Sequence, residues 1–84
     1  MSTDDIKFIP YQEAARLVGA IQEEEDIERQ DKRILTVYSK DDKELCWFDF
    51  DDVMAELGEV EAGERKEAVH HYVLSRIPDW VREL

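Results

Sequence analysis

The run RILTVYS, from Arg33 to Ser39, and the run ELCWFDF, from Glu44 to Phe50, stand on either side of Lys40-Asp41-Asp42-Lys43. Two stretches rich in β-branched and aromatic residues around a short polar tetrad predict a β-hairpin. With Asp41 and Asp42 as the turn, Val37 faces Cys46 and Leu35 faces Phe48 on one side, while Thr36 faces Trp47 and Tyr38 faces Leu45 on the other. Both faces are substantially apolar. A lone hairpin is marginal in water, so helices, a third strand or another chain must cover it. The run Ile6-Lys7-Phe8-Ile9, within residues 5–9, is available as that third strand.

The flanks read as helices. Pro10 suits a first helical turn, and Ala14, Leu17, Val18 and Ile21 follow at amphipathic spacing, predicting a helix of roughly three turns or more. Gly19 falls on the opposite side of that helix. From Gln22 to Lys32 the chain is almost wholly polar, either a solvated extension of the helix or a loop. After Phe50 the period changes again: Val53, Met54 and Leu57 predict a short helix that starts near Asp49–Asp52 and stops at Gly58. A polar linker from Glu59 to Gly63 leads to a longer helix over Glu64–Arg76, with Val69, Tyr72 and Val73 on one stripe. Pro78 ends it, and Trp80, Val81 and Leu84 share one side of a last turn. The expected fold is α+β, in the order α-β-β-α-α, with a central antiparallel hairpin packed by helices.

At 84 residues the chain makes one small acidic domain, residues 1–84. Its apolar fraction of 43% is enough to fold a core despite 39% charged residues. Acids outnumber bases 22 to 11, which disfavours direct binding to nucleic acid or to an anionic membrane and favours a basic protein surface. Cys46, the lone cysteine, lies in an apolar run and cannot close a disulfide within the chain. Together with an N-terminus carrying acids where a signal peptide carries bases, this leads to the expectation of a cytoplasmic protein.

Catalytic motifs are scarce. Asp49-Phe50-Asp51 at the end of an apolar strand resembles the Asp-x-Asp pair of phosphohydrolases of the haloacid-dehalogenase type. That resemblance covers only these few residues, and it implies a long α/β sheet with further Ser/Thr, Lys and acidic elements for which this chain has no room. A calcium loop counted from Asp49 meets Met54 where glycine is required and Val60 in place of the bidentate glutamate. The adjacent His70 and His71 diverge by about 100° on a helix and so cannot share a metal as an i, i+4 pair does; one is expected at the core margin and one in solvent. Phosphate loops, nucleophile elbows and Cys-x-x-Cys pairs do not occur. The expectation is therefore no enzyme, no cofactor and no metal site, with Asp49 or Asp51 capping a helix and Asp52 complementing its dipole.

The acid distribution is the remaining signal. Residues 1–32 and residues 51–84 each carry nine acids against four bases, and the hairpin between them is nearly balanced. Like charges three and four apart on a helix destabilise it, so dense acid invites a functional reading beside the plain one of solubility. The leading expectation is a small module that masks a basic surface of a partner, an inhibitor or nucleic-acid mimic of the phage-inhibitor or immunity-protein type. Glu23, Glu24, Glu25, Asp26, Glu28, Asp51, Asp52, Glu56 and Glu59 supply its carboxylates, and Trp80 its aromatic anchor. Trp47 is the other exposed-aromatic candidate. The alternatives are a homodimerisation or assembly-docking domain, held by the two-faced hairpin or the Trp80-Val81-Leu84 stripe, and a hydrolase using Mg²⁺ or Mn²⁺ on Asp49, Asp51 and Asp52.

Overall fold

The hairpin forms with the expected pairs Leu35 opposite Phe48, Thr36 opposite Trp47 and Val37 opposite Cys46. These are seen in a computed structural model, which describes residues 7–84. The elements are α1 (Tyr11–Leu17), β1 (Val18–Glu25), β2 (Arg33–Ser39), β3 (Glu44–Asp49), α2 (Phe50–Leu57), α3 (Ala62–Leu74) and a 3₁₀ helix over Asp79–Glu83. This is an α+β fold with a three-stranded antiparallel sheet in the order β1-β2-β3.

One expected pair changes, because Tyr38 lies opposite Glu44 instead of Leu45. The loop uses three residues, not two: the Asp42 amide donates to the Ser39 carbonyl at 3.0 Å, Asp42 itself takes φ 64°, and the Ser39 amide donates to the Lys43 carbonyl at 2.8 Å. A bulge that leaves Leu45 unpaired absorbs the extra residue and restores the register at Val37. It also lets the neighbours Leu45 and Cys46 both be buried, which strict alternation forbids.

The third strand has a different source from the one expected. Among residues 5–9, Asp5 and Ile6 lie outside the described residues, and Lys7–Ile9 run beside the C-terminal segment instead of the hairpin. The Ile9 amide donates to the Ile77 carbonyl, the Asp79 amide to the Lys7 carbonyl, each at 2.9 Å, and Phe8 bridges Pro78. The strand comes from Val18–Glu25, where apolar spacing predicts more helix. The helix stops at Leu17, where the Val18 amide makes the last bond back to Ala14, and the chain then extends along β2. A seven-residue helix is weak alone, and continuing it would stack Glu23, Glu24 and Glu25 beside a glycine; the open edge of β2 offers a ladder instead. The order is thus α-β-β-β-α-α.

Register gives the sheet two faces. Ile21, Leu35, Val37, Cys46 and Phe48 lie on one; α2 lies against β2 and β3, α3 packs on α2 and α1, and Val53, Val73, Leu74 and, just past α3, Ile77 share one core with Leu35 and Val37. The helices gather on this side. Gln22, Glu24, Ile34, Thr36, Trp47 and Asp49 lie on the other, bordered by the loop that joins β1 to β2. The C-terminal 3₁₀ helix packs Val81 into the core, while Trp80, about 120° round the helix from it, is exposed, as is Leu84 just beyond the helix. No helix among the described residues is long and apolar enough to cross a membrane.

Candidate functional site

Glu24 projects from β1 onto the open sheet face and sits across from the hydroxyls of β2. Thr36 Oγ1 donates to its Oε1 and Tyr38 Oη to its Oε2, each at 2.7 Å. The Thr36 and Tyr38 hydroxyls together hold the Glu24 carboxyl below its ordinary pKa, and the same carboxylate pushes the Tyr38 phenol up. Thr36 is only 1% exposed, so its hydroxyl requires that acceptor.

Beyond Glu25 the chain turns in a loop organised by Asp26. Its carboxylate accepts from the Glu28 amide at 2.9 Å and from Arg29 Nε at 2.6 Å, and both lower its pKa. Arg29 then reaches across to Asp49 Oδ2 at 3.2 Å, joining the β1–β2 loop to the end of β3. Asp49 is the α2 N-cap, its Oδ1 accepting from the amides of Asp51 at 2.9 Å and Asp52 at 3.3 Å. Those amides and Arg29 hold its carboxyl below the usual range. The capping expectation is met at Asp49.

These contacts bring two sequence-distant acid groups to one place. Glu24, Glu25, Asp26 and Glu28 from the first, and Asp49 and Asp52 from the second, line a concavity of about 690 Å³ with Glu44, Trp47 and Ile27. Among the described residues, Arg29 is the one basic residue that lines it. Trp47 is 54% exposed and Ile27 99% exposed, so the carboxylates surround apolar groups that solvent reaches.

The other expected site residues lie elsewhere or are engaged. Glu23 is on the helix-covered side of the sheet and pairs with Arg33. Asp51 faces Lys32 Nζ at 3.2 Å. Glu59 lines a separate depression with Phe50, Leu57 and Arg65, and Glu56 is exposed on α2. Trp80 sits on the 3₁₀ helix, 47% exposed and away from the acid-lined concavity. Sequence reasoning left Ile27 and Glu44 out of the site, placed Trp47 only as the second aromatic candidate and read Asp49 as a cap or metal ligand. For Trp47 the signal was present, since the hairpin register sets it on the face opposite Leu35 and Val37.

Asp49 and Asp51 turn their carboxylates to different cations, and among the described residues no three His, Cys, Asp or Glu side chains converge as metal ligands would. Both His70 and His71 are exposed, so neither sits at the core margin; His71 packs its ring against Tyr11 with centroids 5.1 Å apart. Cys46 is buried, and burial pushes its thiol up to about 11, with Glu44 adding to the shift. Comparisons of the chain with family models, curated proteins and solved structures find no match.

Proposed function

We propose that this protein is a binding module that masks a basic surface of another protein through the acid-lined concavity around Trp47. The observation that carries this reading is the convergence of carboxylates from β1, the following loop, β3 and α2 around an exposed tryptophan and an exposed isoleucine. Carboxylates steer and orient a cationic partner, while desolvation of an aromatic anchor supplies affinity that charge alone does not. A nucleic-acid-binding groove is the fitting target, since its lysines and arginines would meet carboxylates where they otherwise meet phosphates. Arg29 would then be the residue that holds the two acid groups together.

The test is an NMR titration with a lysine- and arginine-rich peptide, read from amide shifts and repeated at high salt. Shifts concentrated at Ile27, Glu28, Trp47 and Asp52 are expected, weakening as salt screens the encounter. Reversing Glu25, Glu28 and Asp52 to lysine should lower affinity about tenfold or more, because these carboxylates make no ion pair among the described residues. Equal shifts along Glu59, Glu61 and Glu64, or unchanged binding by the reversed variant, would overturn the reading.

A further inference from the structure

A second concavity, on the helix-covered side of the sheet, has the opposite charge character. The first turns of α3 stand clear of the sheet: every residue from Glu61 to Glu67 is exposed, and full burial is reached only at Val73 and Leu74. A groove of about 570 Å³ remains between β1 and α3. Its apolar lining includes Ile21, Leu35, Phe50, Met54 and Val69. Ala62, Arg65, Lys66, Val69 and His70 line it from α3, and their spacings of three and four place them on one helix face.

Arg65 and Lys66 are two of 11 basic residues in a chain of net charge −11, yet neither makes an ion pair among the described residues. Glu23, the one acid lining the groove, is already held by Arg33. An apolar slot edged by two uncommitted cations and an imidazole complements a molecule with an apolar body and an anionic head. Its volume falls within the range of small-molecule sites.

We infer that the groove between β1 and α3 binds a small amphiphilic carboxylate, its hydrocarbon or aromatic body over Ile21, Met54 and Val69 and its carboxylate against Arg65, Lys66 and His70. The arginine fork donates two parallel hydrogen bonds to a carboxylate, and lysine adds a point charge. This site is independent of the acid-lined concavity.

Decanoate, kept below its micelle concentration, is a suitable probe, with decanol and decyltrimethylammonium as neutral and cationic analogues. Titration should shift the amides of Ala20, Ile21, Leu35 and Val69 with decanoate and much less with either analogue. The double variant Arg65→Glu, Lys66→Glu alters only exposed side chains, so its melting curve should stay cooperative while decanoate affinity falls roughly tenfold or more. Equal shifts with decanol or the ammonium analogue, no shift with decanoate, or full affinity in the folded double variant would overturn the inference.

Discussion

Gly19 lies where β1 passes the hairpin loop, at the bulge between the pairs Val18–Ser39 and Ala20–Tyr38. A Cβ there would come within 2.7 Å of both Lys40 Cα and the Ser39 carbonyl oxygen, and backbone atoms cannot swing aside as a side-chain tip can. Gly19→Ala should therefore destabilise the protein by about 1–3 kcal/mol, read from the urea midpoint. An unchanged midpoint would mean that the strand and loop do not approach so closely. Glu24 carries a second residue-level consequence. Its folded-state pKa lies below the ordinary value because two hydroxyls donate to it, so its stabilising contribution is complete above the ordinary carboxylate pKa, about 4, and fades as pH falls through the lowered value. Asp26, Asp49 and Glu13 act in the same direction. Replacing both donors, Thr36→Val with Tyr38→Phe, should make the loss of stability on acidification shallower; an acid limb as steep as the native one would place the dependence elsewhere.

At the scale of elements, α2 depends on a cap and α1 does not. Asp49 closes the first turn of α2 and Gly58 closes its end at φ 69°, whereas α1 begins at Pro10 with no side-chain cap. Asp49→Asn retains an acceptor for the amides of Asp51 and Asp52 and loses the charge toward Arg29, while Asp49→Ala loses both. Amide exchange in α2 should rise clearly in the alanine variant and little in the asparagine one; equal protection in all three would deny the cap its role. The cap was legible because a period-two run gives way to a period-three-to-four run at an aspartate. The β2–β3 hairpin was legible for the same reason, through alternation and turn chemistry that are local. The β1 strand was not, because Val18 and Ile21 satisfy a helical period as readily as a bulged strand, and the deciding term is the open edge of β2, a long-range contact. The site was half legible: Glu24, Glu25, Asp26, Glu28 and Asp52 converge, but only the fold shows that Arg29 ties the loop to Asp49 and that Trp47, not Trp80, stands among them.

For the whole molecule, the ion pairs and the net charge pull in different directions. Arg82 Nε and Nη2 each lie 2.6 Å from a carboxylate oxygen of Glu13, and backbone bonds at Ile9 and Lys7 join the same two ends of the chain. This strap fixes the C-terminal segment across α1. Exposed ion pairs of this kind contribute little each, so they offset only part of the repulsion in a chain of net charge −11. The two acid groups meet around Arg29, which pairs with Asp26 and Asp49 and leaves Glu25, Glu28 and Asp52 without an ion pair among the described residues. On the proposed reading, such a binding surface accepts local instability for its partner. The double variant Glu25→Lys, Glu28→Lys, which leaves the acidic first turn of α2 intact, should thus raise the melting temperature at low salt while weakening binding to a basic peptide. Added salt should narrow that difference, because screening relieves the repulsion in the native chain. A double variant that melts lower than the native chain at low salt would show that these carboxylates serve the fold, and would remove the strain on which the binding argument rests.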